Sequence, residues 1–359
     1  MSNREKAGNL SRRKEVRKKA VEIKKKPQNK RRHFEEIIDK FSQPKIMVIG
    51  DYISDVYVYG KPFKLSREAP VVVIRHERES IVPGGAGNAA NNLASLGCQV
   101  YSVGILGNDE VGNNLLDQLK GKGVNVEGLL FSHIVNTISK TRIMAGDEHT
   151  SKQQVIRIDK VNDEPIPTRL QEKIFNQLER LANKADAVVV SDYGYGVVSG
   201  RVISFLQNLA KRKIVVVDSR YQLMRFRGVT AVTPNESEAE KAVRLKLNDE
   251  QEVERAAHLL LERLKLQAVL ITRGNRGMSL LEKNSPIVHI PISGSDDITD
   301  VTGAGDTVAT VFTLALAAGA GFYDAAFLAN CAAGVVVMKR GTAVLSREEL
   351  REAMRRHYE

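Results

Sequence analysis

The chain is poor in cysteine, lacks tryptophan and contains no long apolar run. Its only two cysteines, Cys98 and Cys331, lie far apart in apolar surroundings. This predicts reduced, buried thiols in a cytoplasmic protein, and it argues against a cysteine-bound metal. No stretch reaches the ~18 apolar residues of a membrane span, and no apolar signal segment stands at the N-terminus. We therefore expect neither a membrane span nor a secretory leader.

Two catalytic signatures are missing as well. The seven histidines do not form an H-E-x-x-H pattern, so that type of metal site is not encoded. No Walker A lysine pattern occurs, so a P-loop mechanism is not implied.

With 359 residues, the chain is long enough to bury a substantial core. We expect one large α/β domain, or one such domain with a small appendage.

The excess of basic charge is confined to the N-terminus. The net charge is +11, and residues 1–32 hold 14 Lys/Arg and 3 Glu, so the rest of the chain is neutral overall. We treat residues 1–44 as a basic extension, disordered or helical, because blocks of like charge repel and stay solvated. The alternative is contact with an anionic partner such as nucleic acid or acidic lipid. No aromatic residue precedes Phe34, so stacking on bases is not encoded there.

From Lys45 onward, short β-branched runs alternate with helical stretches. This alternation favours a parallel sheet with helices on both faces. Polar residues follow several predicted strands, and ligands bind beyond the carboxyl ends of such strands. These residues are Asp51 and Asp55 after strand 46–50, Asp192 after 187–191, Asp218 after 214–217, and Asn235 with Glu238 after 230–233. Asp51 taken alone could equally cap a turn.

The most informative stretch is D-V-T-G-A-G-D-T at residues 300–307, which opens an apolar helix. Gly303 and Gly305 allow a tight turn that exposes the N–H groups of Ala304, Gly305 and Asp306 to an anion at the helix N-terminus. A carboxylate at Asp306 would repel that anion, unless it takes a proton from a hydroxyl that attacks a phosphorus atom held there. The simpler alternative is an ordinary Asp-Thr helix cap.

Strand-like segments near residues 56–78 and 137–160 interrupt the alternation. We expect the two segments to pair into one small accessory sheet. They are rich in Lys and Arg, which a phosphorylated sugar would need. Most of these are expected to be solvated strand residues, and we single out Lys140 and Arg142.

Glycines cluster again at residues 84–87. Gly85-x-Gly87-x-x-Ala90 loosely matches a dinucleotide fingerprint. Pro83 directly precedes it, and it does not follow the first strand, so a nicotinamide enzyme is disfavoured.

Three further positions suit a nucleotide and its metal ion. Asn235 and Glu238 can share one face of a first helical turn and hold a hydrated magnesium ion, although the same spacing makes a capping box. The loop 272–277 has glycines flanking its arginines and could approach a nucleotide. Asn330, on an Ala-rich helical face, needs a polar partner if buried, and adenine or ribose is a candidate.

Together these motifs resemble the ribokinase, or phosphofructokinase B, family of carbohydrate kinases, over about residues 45–355. The resemblance implies a ribokinase-like α/β fold with a small β-sheet lid over the sugar that often forms a homodimer contact, and ATP and Mg²⁺ as cofactors. It implies Asp306 as general base with Gly303, Ala304 and Gly305 as anion hole. Substrate-binding roles are implied for Asp51, Asp55, Gly84, Gly85, Asn88, Lys140, Arg142 and Asp192. Nucleotide-binding roles are implied for Asn235, Thr272, Gly274, Gly277 and Asn330, and metal binding for Asn235 and Glu238.

Within the family the chain most resembles heptose 7-phosphate kinases, which phosphorylate O1 of D-glycero-D-manno-heptose 7-phosphate with ATP in lipopolysaccharide precursor synthesis. The likeness lies in residues 50–60, 66–70, 191–193 and 299–307. Tyr195 stands where lysine is expected, Ser219-Arg220 where Pro-Lys is expected, and Thr310 where a smaller residue is usual. A kinase of another sugar or sugar phosphate, and a non-catalytic sugar or nucleotide sensor, therefore stay open. No second domain follows Glu359, so we expect no fused nucleotidyltransferase half.

Overall fold

The structure is a computed structural model, which describes residues 29–146, 152–294, 299–339 and 341–358. Residues 1–28, which carry most of the basic clusters, lie outside the described residues, as do residues 147–151 of the second lid segment. The anionic partner expected for the extension therefore remains a prediction.

Nine strands form the main sheet of the described chain. Their order is β13-β12-β11-β10-β9-β8-β1-β4-β5. The seven neighbouring strands from β11 to β5 in this order are parallel to one another. Strand β12 is antiparallel to β11, and β13 is antiparallel to β12. The strands, numbered along the chain, are β1 Lys45–Gly50, β4 Gln99–Gly107, β5 Asn125–Ser132, β8 Ala187–Asp192, β9 Ile214–Ser219, β10 Ala231–Val232, β11 Ala268–Thr272, β12 Met278–Glu282 and β13 Val288–Ile290.

Helices cover both faces of this sheet, as predicted. Successive side chains of a strand point to opposite faces, so Ile46 and Val48 of β1 enter one hydrophobic layer while Met47 and Ile49 enter the other. Helices α1, α2, α3, α8, α9 and α10 pack in the first layer, and α4 to α7 in the second. The helices are α1 29–39, α2 Ala86–Ser95, α3 Glu110–Gly121, α4 Thr168–Ala182, α5 Gly200–Leu209, α6 Glu236–Val243, α7 Glu250–Leu264, α8 Ala304–Ala317, α9 Phe322–Val336 and α10 Arg347–Arg356.

Helix α1 belongs to the packed body of the protein. Phe34 lies on Phe327 of α9 with 4.7 Å between ring centroids, and it stacks on Tyr358 at 6.0 Å. Ile38 and Phe41 are fully buried beside it. The division placed at residue 45 therefore does not coincide with the edge of the core, because the last part of residues 1–44 contributes side chains to it.

A second sheet of four strands, here called the lid sheet, has the order β3-β2-β6-β7. It is built from β2 Tyr52–Leu65, β3 Val72–Gly85, β6 Ile138–Ala145 and β7 Gln153–Lys160. The two predicted accessory segments thus pair through β2 and β6, which run parallel. The register lines up two cross-strand rows, Asp55–Lys140–Asp159 and Tyr57–Arg142–Arg157. One face of the lid sheet consequently carries a concentrated set of charges.

Two elements were not predicted from the sequence, the edge strand β5 and helix α7. Across the described parts of the chain, no helix is long and apolar enough to cross a membrane.

Candidate active site

A cavity of about 790 Å³ lies between the lid sheet and the carboxyl ends of the parallel strands. This is the edge at which an open parallel sheet binds ligands. Most of the predicted site residues line it: Lys140, Arg142, Asp192, Asn235, Glu238, Thr272, Gly274, Gly277, Gly303, Ala304, Gly305 and Asn330. The others, Asp51, Asp55, Gly84, Gly85, Asn88 and Asp306, lie behind that wall, and all of them are buried.

The turn before α8 presents backbone N–H groups to the cavity. Gly303 has φ +79°, a left-handed conformation that glycine adopts without strain, and α8 begins at the next residue. Ala304 donates its N–H to Val301 O at 3.2 Å, so that group is committed to the turn. Within the described part of the chain, the N–H groups of Gly305 and Asp306 have no backbone acceptor. An anion at this helix N-terminus would therefore meet two free donors rather than the three expected.

Asp306 lies in the first turn of α8 and is only 3% exposed. Its Oδ2 accepts a hydrogen bond from Asn88 Nδ2 at 3.2 Å, and the same amide donates to Gly303 O at 3.2 Å. The hydroxyl of Tyr193 lies 3.1 Å from Oδ1 and 3.3 Å from Oδ2, and Ser191 Oγ donates to Oδ1 at 3.4 Å. Burial raises the pKa of Asp306 to about 7, against the bonds from Asn88 and Tyr193, which lower it. A carboxylate with such a pKa is suited to accept a proton near neutral pH.

Asp51 is held by the backbone of the loop that follows β8. Its Oδ2 accepts the N–H groups of Tyr193 at 2.8 Å and Tyr195 at 3.1 Å, and its Oδ1 accepts that of Val197 at 3.4 Å. Burial raises the pKa of Asp51 to about 6 in spite of these bonds. Asp51 therefore anchors the loop 193–197, and its sugar-binding role stays a prediction.

Asp55 lies on strand β2 of the lid sheet and forms an ion pair with Arg142. A Cβ on Gly84 would lie 2.2 Å from Asp55 Oδ2, so only glycine leaves room for this carboxylate. Since Asp55 neutralises Arg142, Lys140 is the less compensated cation of the two. Lys140 Nζ lies 4.9 Å from the centroid of the Tyr193 ring, and burial lowers its pKa.

Asp192, at the end of β8, is hydrogen-bonded on both oxygens. It accepts from Gly194 N at 3.0 Å and from Ser219 Oγ at 2.6 Å. Ser219, which stands where proline was expected, thus has a structural role as a hydrogen-bond donor to Asp192. Its neighbour Arg220 lines the cavity, 5.7 Å from the Tyr193 ring centroid. Among the described residues, no carboxylate lies within ion-pair distance of Arg220 or Lys140.

Asn235 and Glu238 form the capping box of α6. Asn235 Oδ1 accepts Glu238 N at 2.9 Å, and Glu238 Oε2 accepts Asn235 N at 3.0 Å. The capping box that their spacing allowed as an alternative is therefore present. Asp218, whose position the strand pattern indicated without a role, lines the cavity with them. Burial and the charges of Glu238 and Asp306 hold the pKa of Asp218 well above its usual range.

The carboxylates of Asp218 and Glu238 fit a magnesium ion that keeps most of its water ligands. A nearby divalent cation would offset the repulsion that raises the pKa of Asp218. No group of three or more His, Cys, Asp or Glu side chains in the described ranges is arranged to hold a metal. An ion there would be bound chiefly through water and phosphate, and Asp218 and Glu238 are the residues that would hold it.

The far end of the cavity is lined by Thr272, Gly274, Gly277 and Asn330. Gly274 has φ +58° and open space around it, which leaves room for a ligand. Asn330 Nδ2 donates to Pro291 O at 2.7 Å, so the buried amide has found a protein partner. The arginines of this loop are engaged elsewhere, since Arg273 and Arg276 both bind Glu236.

Comparison with known proteins identifies the class. A glycine turn with two N–H groups that lack a backbone acceptor in the described chain, beside a buried carboxylate, is an arrangement that suits transfer of a phosphoryl group to a hydroxyl. Residues 43–349 match the model of the pfkB family carbohydrate kinases, and the chain belongs to that family. The predictions of a carbohydrate kinase, and of ATP with Mg²⁺ as its cofactors, are confirmed at the level of the family.

Sequence relatives and solved structures agree with this assignment. The chain is 42% identical to the "Bifunctional protein HldE" of Geobacter metallireducens over 85% of its own length and 61% of that protein. It is 39% identical to the protein of the same name from Geotalea uraniireducens over 89% of its length and 65% of the relative. The chain therefore spans less than two thirds of these relatives.

Two solved structures confirm the ribokinase-like fold. Ribokinase of Arabidopsis thaliana, complexed with ribose and ATP, has a TM-score of 0.67 and 18% identity, over 87% of this chain and 98% of that one. Phosphofructokinase-2 of Escherichia coli, in complex with substrates and products, has a TM-score of 0.71 and 17% identity, over 87% and 99%.

Proposed function

We propose that the protein transfers the terminal phosphoryl group of ATP to O1 of D-glycero-D-manno-heptose 7-phosphate, in the synthesis of ADP-heptose for lipopolysaccharide. The observation that carries the proposal is Asp306, a buried carboxylate at the N-terminus of α8, beside a cavity whose wall carries Lys140 and Arg220, neither of which has an ion-pair partner among the described residues. The relatives are bifunctional proteins, which agrees with the resemblance of the motifs to the kinase half of a bifunctional heptose enzyme.

In the proposed reaction, Asp306 accepts the proton of the acceptor hydroxyl. The hydroxyl oxygen bonds to the terminal phosphorus of ATP, and the bond from that phosphorus to the ADP oxygen breaks. The N–H groups of Gly305 and Asp306 bind oxygens of the transferring group, where negative charge collects. Magnesium supplies charge compensation on the ATP phosphates, with Asp218 and Glu238 as the residues that would hold it.

Lys140 and Arg220 are assigned to the phosphate already present on the acceptor. Both line the cavity and flank Tyr193. A phosphate suits them because it could form charge-assisted hydrogen bonds with both, and no described carboxylate lies within ion-pair distance of either. Arg157 is less available, since it forms two hydrogen bonds to Asp159 at 2.8 and 3.0 Å.

The first test is a panel of acceptors. ADP release would be measured with ATP, Mg²⁺ and each of heptose 7-phosphate, unphosphorylated heptose, fructose 6-phosphate and ribose. Turnover that depends on heptose 7-phosphate, with a product phosphorus signal from an anomeric phosphate, is the expected result. Turnover with another acceptor alone would contradict the heptose assignment and leave the kinase class intact.

A kinase of a different sugar phosphate is the second candidate, and Tyr195 favours it. This residue lines the cavity where a lysine was expected, so the set of cations that meets the acceptor differs from that of the resembled kinases. The same panel decides between the two acceptors.

Removal of either Lys140 or Arg220 should weaken binding of a phosphorylated acceptor. We expect Lys140→Gln and Arg220→Gln each to raise the KM for heptose 7-phosphate about tenfold or more, since a charge-assisted hydrogen bond is worth roughly 1.5–3 kcal/mol. The KM for ATP should change less. Lys211→Gln, at an exposed site outside the cavity, is the control. An equal rise in both KM values would contradict the assignment to the acceptor phosphate.

Activity should also depend on the ionisation of Asp306. Only its ionised form accepts a proton, so kcat/KM is expected to fall as pH falls through about 7. The measurement is kcat/KM for the acceptor from about pH 5 to about pH 9, at saturating ATP. A profile that stays flat down to about pH 5 would show that a different group limits the reaction.

We also propose that two copies of the chain associate through their lid sheets. Arg157 and Asp159 of β7 line the cavity, and the alternation of a strand directs Ile156 and Ile158 to the opposite face, where they are 53% and 55% exposed. Strand β7 is also an edge, and exposed apolar edges favour association. Ile156→Glu with Ile158→Glu is expected to give a monomer in sedimentation experiments. A monomeric wild-type protein would contradict the proposal.

A further inference from the structure

The carboxylate of Asp306 is covered by hydrogen-bond donors and does not itself line the cavity. Tyr193, Asn88 and Ser191 together make four contacts with its two oxygens, between 3.1 and 3.4 Å. The Tyr193 hydroxyl has a single proton for both oxygens, so the three donors fill three of the about four lone-pair sites of an ionised carboxylate. A hydroxyl in the cavity that is to give its proton to Asp306 must therefore replace the donor that lies on the cavity side of the carboxylate.

Two of the donors are fixed by their surroundings. Asn88 is fully buried in α2, where it also donates to Gly303 O and accepts a hydrogen bond from Asn92 at 3.0 Å. Ser191 lies within strand β8 and is 1% exposed. Displacing either would open the core beneath the site.

Tyr193 is the donor that can leave. It is the one of the three that lines the cavity, and it lies just beyond β8. Asp51 holds the backbone of its loop through three N–H groups. The side chain can consequently rotate away from Asp306 while the loop stays in place.

The surroundings of the Tyr193 ring connect its release to the acceptor. Lys140 and Arg220 lie 4.9 and 5.7 Å from the ring centroid, within the range of a cation–π contact. A phosphate bound by these two cations would draw them from the ring. Binding of the acceptor phosphate would thus weaken the hold on Tyr193 just when its place on Asp306 is needed.

We propose that Tyr193 covers the base: its hydroxyl occupies the cavity side of the Asp306 carboxylate until the hydroxyl of the acceptor replaces it. The inference rests on the proposed function in taking Asp306 as the base. Its consequence is that ATP is protected from hydrolysis. If Tyr193 did not cover Asp306, a water molecule could give its proton to Asp306 and attack the terminal phosphorus. The bond to the ADP oxygen would then break to yield ADP and phosphate.

The test is ADP release from ATP and Mg²⁺ with no sugar present. Tyr193→Ala is expected to raise this rate about tenfold, and Tyr193→Phe by less because the ring still shields the site. Combining Tyr193→Ala with Asp306→Asn should return the rate to background. Tyr101→Phe, on β4 outside the cavity, is the matched control and should keep the wild-type rate. Thermal unfolding of each variant verifies that it is folded.

The acceptor supplies a second readout. Tyr193→Phe is expected to lower the KM for heptose 7-phosphate about threefold to tenfold with kcat little changed, since the acceptor hydroxyl no longer competes with the phenol. The proposal is overturned if both Tyr193 variants keep the wild-type hydrolysis rate, or if Tyr193→Phe lowers kcat about 100-fold at unchanged KM. The hydrolysis arm uses water as acceptor, so it decides this proposal even if heptose 7-phosphate proves not to be the substrate.

Discussion

Replacing Asp306 by asparagine is expected to lower kcat about 10³-fold and to leave the KM for ATP within about twofold. The amide has nearly the shape of the carboxylate but cannot take the proton of the attacking hydroxyl. A positioned general base contributes roughly 10²- to 10⁴-fold to a rate, which sets the expected size. The measurement is ADP release at saturating ATP and acceptor, with single-turnover kinetics to separate chemistry from product release.

The matched control is Asp324→Asn. Asp324 also lies in the first turn of a helix, α9, but it faces His33 at 2.9 Å rather than the cavity. It should keep the wild-type kcat. Loss of activity in both variants would indicate a general effect of removing a helix-terminal charge, and would argue against Asp306 as the base.

The free energy of unfolding distinguishes a loss of catalysis from a loss of folding in Asp306→Asn. Burial raises the pKa of Asp306 from 3.8 to about 7, so the folded protein binds its proton more tightly than the unfolded chain does. The wild type should lose stability as pH rises from about 4 to about 7 and regain none above that. At about pH 8, Asp306→Asn should be more stable than the wild type by on the order of 2–4 kcal/mol, and nearly equal at about pH 4. A less stable variant at about pH 8, measured by denaturant unfolding, would assign the activity loss to misfolding.

Much of the fold could be predicted because its strands are short β-branched runs with polar residues at their ends. Parallel strands end at one edge of the sheet, which brought Asp192, Asp218 and the turn before α8 to the same cavity. Strand β5 was missed because Gly128 interrupts it and it lies at the edge of the sheet. Helix α7 had a readable start, since Asp249 accepts a hydrogen bond from Glu252 N at 2.8 Å. That capping pattern could have predicted it.

The partners of the polar side chains could not be predicted in the same way. A carboxylate after a strand is satisfied equally by a sugar hydroxyl or by a backbone N–H. Asp51 meets three backbone N–H groups of a loop about 140 residues away in the sequence. Tyr193 was noted only as part of a motif, because nothing local indicates that its hydroxyl reaches Asp306. Such pairings depend on how β8, α2 and α8 meet in three dimensions.

Replacing Gly303 by alanine is expected to lower kcat about 100-fold while ATP binding changes less. A Cβ at this position would lie 2.6 Å from Asn88 Nδ2 and 3.2 Å from Thr342 Cγ2. Asn88 would have to move, and it is the residue that holds both Asp306 Oδ2 and Gly303 O. A small displacement of a catalytic group can reduce a rate about 10²-fold. Steady-state kinetics for both substrates, with a crystal structure of the variant, would measure the effect and its cause.

Gly319→Ala separates this contact from the cost of the backbone conformation. Gly319 follows the other end of α8 and has φ +93°, and a Cβ placed on it would meet no atom within 4 Å. Both alanines should cost about 1–2 kcal/mol of stability, because L-residues disfavour positive φ. Only Gly303→Ala should also displace Asn88, so only it should lower kcat. Equal kinetic losses in the two variants would mean that the helix responds as a whole, and that the Asn88 contact does not position the base.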